Sequence, residues 1–400
     1  MHETPVITAF LERDDGRVLV LRRSQRARTY PGAWSGVSGY LELDDPLEQA
    51  YVEIAEETGL RREDVELRAV ASPRVVTGPE GEHWLVHPML FGCRRPEAVR
   101  LNEENDAAEW IDRRTLRQLE TVPALEEAYV DAKLAERVEQ VANDGTHGAS
   151  WLAREAVEAV AEAIELGGDP VEVARAMVAA RPAMGAITGA LGRVLAAGKS
   201  PEQMVEEAHA LVAARERAAR AIAVQLHPYL DGAGAVMTHS NSATVAEALI
   251  HSPPARVVCT VSEPGEEGRE LEEGLRAQGL TTELVSDGDA SHAVETVSLL
   301  LVGADTVFRD GSLINKVGTR DLAKTASRAG VPVLVACEVI KLAPVAPREP
   351  GEDRFDLTPP EHIDSFVTEE GVFSPADIPS LLDRTPYLRE GYALLQQQSV

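Results

Sequence analysis

Three glutamates close together in the first third of the chain could bind a divalent metal ion. Glu53, Glu56 and Glu57 are spaced at i, i+3 and i+4, so on a helix all three side chains project from one face. Stacked carboxylates repel one another unless a cation lies between them, and oxygen-only ligands suit magnesium or manganese. The alternative is a solvated acidic face, which is the favoured interpretation of the glutamates alone because 66 of the 400 residues are acidic.

A second group of polar residues lies in the last 170 positions or so, where strand-like runs end. Ser240 follows AVMT, Glu263 follows VVCTV, Asp305 ends LLVGAD, and Asn315-Lys316 opens the helical stretch GTRDLAKTASRAG. In an open α/β sheet this is the edge at which ligands bind. Helix N-termini there offer free N–H groups to a phosphate, and Lys316 adds a point charge.

Hydrophobic patterning indicates the elements that would position these residues. Residues 5–24 are typical of two strands joined by a turn at Asp14-Asp15-Gly16. A Gly-rich loop follows, then a helix through DPLEQAYVEIAEETGL with Gly59 as its C-cap. Short strands are predicted at ELRAVAS and HWLVHPMLFGC, and helical sequence runs from about Thr115 to Val141. We therefore predict a first domain over residues 1–142.

The remaining chain, residues 146–400, changes character near its middle. Residues 150–224 are alanine-rich and helical, interrupted by GGDP, ARP and GKSP. From residue 233 onward, apolar strand-like runs alternate with helical stretches, which predicts a doubly wound parallel sheet. We expect a helical subdomain over 146–228 and a parallel-sheet subdomain over 229–400, so the fold class is α/β throughout.

Composition excludes several functional classes. The formal net charge is −27, which argues against direct nucleic-acid binding because that requires a basic footprint. Such an acid-rich surface, with only five lysines, resembles proteins of salt-loving archaea, in which salt screens self-repulsion. No apolar run approaches the roughly 20 residues that span a bilayer. The three scattered cysteines and the absence of a signal-peptide pattern predict a cytoplasmic protein.

The stretch SGYLELDDPLEQAYVEIAEETGL resembles the Nudix box, and the resemblance extends over roughly residues 5–140. It implies an α/β/α sandwich that hydrolyses a nucleoside diphosphate derivative with magnesium or manganese. The family's metal ligands map to Glu53, Glu56 and Glu57. Arg22 and Arg23, at the end of the second strand, could hold phosphates, with ordinary surface arginines as the alternative.

Three positions depart from the box. Ser38 stands where the first glycine belongs, with Gly39 one place later, and Asp44 replaces the first glutamate. Val52 replaces the arginine, which would lie one helical turn before Glu56 and could orient it and balance its charge. Glu56 must then be positioned by the metal or by another base.

Four phrases in the second half resemble one superfamily. It unites the regulatory subunits of translation initiation factor 2B, methylthioribose-1-phosphate isomerase and ribose-1,5-bisphosphate isomerase. The phrases are THGASWLA (146–153), THSNSATVAEAL (238–249), EPGEEGRE (263–270) and GADTVFRDGSLINKVGTRDLAK (303–324). The resemblance implies a helical subdomain, a Rossmann-like subdomain, a bound sugar phosphate or nucleotide, and a homodimer or higher homo-oligomer.

Isomerases of this superfamily convert aldose to ketose with a cysteine and an aspartate as proton-transfer groups. The aspartate matches Asp305, but the cysteine position in the Thr-His-Cys signature is Ser240 here. A thiol with a pKa of about 8.5 can be tuned to exchange protons near neutrality, whereas a hydroxyl is a far weaker acid. For Cys259 and Cys337 we predict core packing.

Further residues bear on the ligand of this half. Glu263 replaces an arginine found in many members and would repel a second phosphate. Arg181 and the pair His147-Gly148 match positions that line the ligand pocket in relatives, so one phosphate could still bind.

Three hypotheses remain open for the whole chain. The first is a hydrolase with a regulatory C-terminal half, which we favour. The second is a bifunctional enzyme that also isomerises a ribose phosphate, against which Ser240 and Glu263 argue. The third is a non-catalytic regulator, against which the complete set of three glutamates argues.

Overall fold

The computed structural model describes residues 3–79, 81–198 and 200–396. Contacts divide the chain into two compact units. The first comprises Met1–Gln140 with Ala163–Asp169, and the second comprises Val141–Glu162 with Pro170–Val400.

The first unit is built on an eight-stranded sheet. Its strands are β1 (Thr4–Glu12), β2 (Val18–Arg23), β3 (Trp34–Ser35), β4 (Val37–Tyr40), β5 (Val65–Val70), β6 (Arg74–Thr77), β7 (His83–Cys93) and β8 (Asn105–Ile111). The order β3-β2-β1-β7-β5 forms the main path, with β4 beside β1, β6 beside β7 and β8 beside β2. The long helices are α1 (Pro46–Thr58) and α2 (Leu125–Asn143).

Alternating side chains of β1 bury both faces of this sheet. Ile7 and Leu11 pack in a cluster with Ile54 of α1. Phe10, on the other face, packs in a separate cluster with Tyr129 of α2. Because successive residues of a strand point to opposite faces, the sheet lies between the two helices. The expected α/β/α sandwich is confirmed.

The Gly-rich stretch before α1 is not the loop that the sequence predicts. It contains β3 and β4, and β4 pairs antiparallel with β1 through Val37↔Ala9 and Ser38↔Thr8. Strands β6 and β8 were also not expected. Each is short or irregular in its hydrophobic pattern; β6 pairs with the following strand β7, and β8 pairs with β2, which is distant in sequence.

The second unit begins with helices, as the alanine-rich sequence predicts. They are α3 (Ala149–Leu166), α4 (Pro170–Ala180), α5 (Gly185–Ala197) and α6 (Pro201–Leu230). Prolines open α4 and α6 at positions where the missing N–H costs no helical hydrogen bond. Ser200 caps α6 by accepting a hydrogen bond from the N–H of Gln203.

A seven-stranded, mostly parallel sheet follows, in the order β11-β10-β9-β12-β15-β18-β19. Its strands are β9 (Ala235–Thr238), β10 (Arg256–Thr260), β11 (Thr282–Val285), β12 (Leu299–Val302), β15 (Val333–Ala336), β18 (Ser365–Thr368) and β19 (Gly371–Phe373). The helices are α7 (Ala243–His251), α8 (Glu267–Ala277), α9 (Asp287–Ala293), α10 (Thr319–Ala329), α11 (Ile378–Asp383) and α12 (Pro386–Gln396). Only β18 and β19 pair antiparallel in this sheet. The predicted Rossmann-like arrangement is confirmed.

A smaller sheet of four strands was not expected. It comprises β13 (Thr306–Phe308), β14 (Leu313–Lys316), β16 (Leu342–Ala343) and β17 (Phe355–Thr358). Its strands are two to four residues long, too short to show a hydrophobic period. Long-range pairing defines them.

No helix in the described part of the chain is both long enough and apolar enough to cross a membrane.

Candidate active site and ligand cavity

Helix α1 carries the three glutamates, and its ends follow from local sequence. Asp45 caps the N-terminus by accepting from the N–H of Leu47, and Gly59 ends the helix in the left-handed conformation. The three carboxylates do not share one environment. Glu56 is exposed, Glu53 is half-buried, and Glu57 is only 3% exposed.

Glu57 is held inside the first unit by two neutral donors. Its Oε1 accepts from the N–H of Ser38 at 2.8 Å, and its Oε2 accepts from Asn105 Nδ2 at 2.6 Å. Burial raises the pKa of Glu57 to about 7, against the effect of these hydrogen bonds, and Glu53 and Glu104 add to the rise. Sequence reasoning missed Asn105 and Glu104, because nothing in their spacing links them to a helix almost fifty residues earlier.

Gly39 allows β4 to lie directly against Glu53. A Cβ at position 39 would lie 2.0 Å from Glu53 Oε1, so any other residue would displace the carboxylate. Gly39 therefore allows β4 and the Glu53 side chain to approach each other closely at this point of the Nudix-like stretch. Burial raises the pKa of Glu53, although a hydrogen bond from Gln49 opposes it, and Glu56 and Glu104 raise it further.

The side-chain chemistry of this acidic cluster suits the binding of a divalent cation. Glu56 and Glu104 lie near enough to raise the pKa of Glu53, and Glu53 and Glu104 lie near enough to raise that of Glu57. The hydrogen-bond donors to Glu57 are uncharged. A buried carboxylate paired only with neutral groups is costly, and a cation would offset that cost. Across the described residues, however, no three His, Cys, Asp or Glu side chains are already arranged around a point where a metal ion could bind. The side chains would have to turn toward the ion.

A small cavity of about 110 Å³, which we call the N-terminal cavity, lies in the same unit. None of the three glutamates lines it. Ser38 and Gly39 of β4 form part of its wall, and these two residues also lie against Glu57 and Glu53. Arg23 also lines it, with its Nε donating to Thr29 O at 2.9 Å. Arg22 does not line it: the Arg22 Nε is paired with Asp106 Oδ1 at 2.6 Å on the neighbouring strand β8.

The second unit contains a larger cavity of about 540 Å³, the C-terminal cavity. It brings together residues that are separated by up to 210 positions in sequence, from Gly145 to Phe355. The predicted residues that line it are His147, Gly148, Ser240, Asp305, Asn315 and Lys316. Ala149 and Ala243, the first residues of α3 and α7, also line it, so two helix N-termini border the cavity.

Ser240 lies at the end of β9 in a left-handed conformation, with φ of 66°. Its N–H donates to Ser262 Oγ at 2.8 Å. The preceding His239 is buried, and its Nε2 donates to Val317 O at 2.8 Å, so Nδ1 accepts from Thr260 Oγ1 at 2.7 Å. Burial lowers the pKa of His239. The histidine is therefore a neutral, fixed support for the Ser240 turn.

Asp305 lies between β12 and β13 at the edge of the sheet. Burial raises its pKa to about 6, and the ammonium of Lys341 opposes that rise. Lys341 is itself buried, and it donates to Ala304 O at 2.7 Å. Lys341 and Arg354 are cavity-lining cations that sequence reasoning missed, because neither belongs to a motif that was singled out.

The expected role of Asn315-Lys316 at a helix start is wrong. Both residues lie on β14, and α10 begins at Thr319. The N–H groups at the start of α10 already have a partner, since Asp356 accepts from Gly318 N and Arg320 N. Antiparallel pairing of β14 with β17 places Asn315 opposite Asp356 and keeps the chain extended.

Lys316 is also not a free point charge. Its Nζ lies 2.7 and 2.8 Å from the two carboxylate oxygens of Glu267 and donates to Pro264 O as well. Asn315 Nδ2 donates to Thr319 Oγ1 at 3.1 Å. Any anion in the cavity would compete with Glu267 for Lys316.

Arg181 and Glu263 lie outside the C-terminal cavity. Arg181 is buried and donates to the carbonyls of Val141 and Asp144, so it supports the segment that leads into α3. Glu263 is exposed. The acidic residues that do line the cavity, besides Asp305, are Glu267 and Glu270, so repulsion of a second phosphate would come from them.

Cys259, in β10, and Cys337, directly after β15, are free and fully buried. Burial raises the pKa of each thiol to about 12. Neither lines the C-terminal cavity.

Comparison with known proteins identifies both parts of the chain. The sequence model of the initiation factor 2 subunit family matches residues 145–350, and that of the NUDIX domain matches residues 2–134. The ribose 1,5-bisphosphate isomerase of Archaeoglobus fulgidus is 26% identical over 307 residues, covering 67% of this chain and 97% of the relative. That of Haloferax volcanii is 32% identical over 177 residues, covering 37% of this chain and 55% of the relative.

A solved structure supports the same relationship. The translation initiation factor eIF-2B of Pyrococcus horikoshii OT3 superimposes with a TM-score of 0.56 at 26% identity. The match covers 62% of this chain and 98% of that protein.

Proposed function

Because this chain belongs to the initiation factor 2 subunit family and carries a NUDIX domain ahead of that region, we propose a two-part protein. The first part is a metal-dependent hydrolase of a nucleoside diphosphate derivative. The second binds a sugar phosphate or a nucleotide and regulates the first. The observation that carries the hydrolase proposal is the acidic cluster around buried Glu57, whose hydrogen-bond donor Ser38 also lines the N-terminal cavity.

Each residue of the first site has a proposed role. Glu53, Glu56 and Glu57 would hold magnesium or manganese, which when bound polarises phosphoryl oxygens and lowers the pKa of an attacking water. Ser38 and Gly39 lie against Glu57 and Glu53 and also line the N-terminal cavity. Arg23, which lines the same cavity, would bind a phosphate of the substrate.

The test is a screen of nucleoside diphosphate derivatives with the full chain in magnesium, in manganese and in excess chelator. It is run at high salt because the net charge is −27. We expect release of a mononucleotide only when metal is present. Equal rates in chelated and metal-loaded samples would overturn the proposal.

Position 52, where valine replaces the arginine of the Nudix box, gives a second prediction. Val52 is 40% exposed, so Val52→Arg should leave the melting temperature unchanged. The new guanidinium would lie one helical turn before Glu56, and such pairs stabilise by about 0.2–0.5 kcal/mol, so we expect a rise of roughly twofold in metal affinity or kcat/KM. Val52→Lys supplies the charge without the planar fork and should have a smaller effect. Unchanged kinetics in both variants would show that another base already serves Glu56.

For the C-terminal half we propose binding of one phosphate group in the C-terminal cavity. Two helix N-termini, buried Lys341 and Arg354 border that cavity and can contact an anion. Asp305 and the isomerase relatives favour a second candidate, aldose–ketose conversion of a ribose phosphate. The serine at position 240 argues for binding without efficient turnover.

We further infer a cytoplasmic homodimer or higher homo-oligomer. The three cysteines are free and buried, which suits a reducing compartment. The superfamily resemblance supports self-association through the parallel-sheet region.

A further inference from the structure

An exposed aromatic side chain lines the C-terminal cavity without a role in phosphate or proton chemistry. Trp151, in the first turn of α3, is 38% exposed and forms part of the cavity wall. Of the four tryptophans it alone follows residue 110. A large apolar ring left open to water within a cavity is unfavourable unless a ligand covers it.

The orientation of this ring is fixed by its neighbour. The His147 and Trp151 rings are stacked, with centroids 3.7 Å apart and an interplanar angle of 16°. His147 is anchored in turn, because its Nδ1 lies 2.7 Å from Asp144 Oδ2 and its N–H donates to Asp144 Oδ1 at 2.8 Å. The indole therefore has one face supported by the imidazole and presents a preorganised platform.

The size of the cavity fits more than a sugar phosphate. Its volume of about 540 Å³ falls within the range of about 300–1,000 Å³ that holds whole small ligands. The same cavity offers Lys341 and Arg354 for a phosphate, and Asp305 and Asn315 for hydroxyl groups. A ligand that uses all of these and Trp151 has a phosphate, a sugar and a flat aromatic ring.

We propose that the C-terminal cavity selects a nucleoside monophosphate over a bare sugar phosphate by stacking its base on Trp151. This inference rests on the proposed phosphate-binding function of the same cavity. Base stacking on an aromatic side chain increases affinity by about 5- to 150-fold, and a purine covers more of the indole than a pyrimidine does.

The test is calorimetric titration of the full chain with AMP, UMP, ribose 5-phosphate and inorganic phosphate, in excess chelator so that metal-dependent binding in the first unit is suppressed. We expect AMP to bind most tightly, then UMP, then ribose 5-phosphate, with ribose 5-phosphate competing against AMP. Trp151→Leu should abolish the preference for AMP over ribose 5-phosphate, and Trp151→Phe, which keeps a flat ring, should retain most of it. Melting temperatures control for folding.

The possible outcomes distinguish this inference from the proposed phosphate-binding function of the cavity. Equal affinity for AMP and ribose 5-phosphate would overturn the nucleotide preference alone. A preference that survives Trp151→Leu, or equal weakening of both ligands by that variant, would overturn the role of Trp151. Failure of every phosphate compound to bind would overturn the proposed function of the cavity together with the inference.

Discussion

Replacing Glu57 by glutamine is expected to lower the hydrolysis rate at least 100-fold, the typical cost of losing a key electrostatic group in an active site. Glutamine has the same shape, and its side-chain oxygen can still accept from the Ser38 N–H that now bonds Glu57 at 2.8 Å. The substitution therefore removes the charge and keeps the contact with Ser38, whereas the contact with Asn105 requires the Asn105 amide to rotate so that its oxygen accepts from the new side-chain NH2 group. The measurement is kcat at saturating magnesium, together with the melting temperature.

A matched control lies on the same helix. Glu48, in the first turn of α1, is exposed and pairs with Arg62 at 2.9 Å, away from the acidic cluster. We expect Glu48→Gln to leave kcat unchanged. If Glu57→Gln retained the wild-type rate, the cluster would not be the hydrolytic site. If Glu57→Gln lowered kcat only in proportion to the loss of folded protein, Glu57 would have only a structural role.

The second large effect is expected from Ser240→Cys in the C-terminal half. We expect slow or undetectable aldose–ketose conversion of a ribose phosphate by the wild type, and a gain of about 10²–10⁴-fold in the variant, the range that a general acid–base group contributes. The reason is that a thiol at the cavity wall can exchange protons near neutrality, whereas the hydroxyl cannot. Cysteine and serine have similar shapes, so the turn at Ser240 should persist.

NMR of the sugar phosphate measures this conversion directly in the full chain. Asp305→Asn in the Ser240→Cys background is the control, because it removes the partner carboxylate and should abolish the gain. Rapid turnover by the wild type would instead establish a bifunctional enzyme. A Ser240→Cys variant that binds the ligand as wild type does and gains no activity would show that the missing thiol is not what limits this half.

Local sequence determined much of the fold and the location of the chemistry. The i, i+3, i+4 spacing places three carboxylates on one helix, and Asp45 and Gly59 end that helix through contacts within four residues of each cap. The strand-like runs from residue 233 onward alternate with helices, and that pattern alone predicts a parallel sheet with Ser240 and Asp305 at one edge. The helix and its caps depend on interactions between near neighbours in sequence, and the alternation of strands and helices is itself visible in the local hydrophobic pattern.

Only the tertiary structure decided how those residues differ from one another. The burial of Glu57 depends on Ser38 and on Asn105, which comes from another strand, and the position of Glu53 depends on the missing side chain of Gly39. Lys316 is neutralised by Glu267, 49 residues earlier. Asn315 stays extended because β14 pairs with β17. Contacts between distant segments set burial, and burial with its partners sets which charges remain available for a ligand.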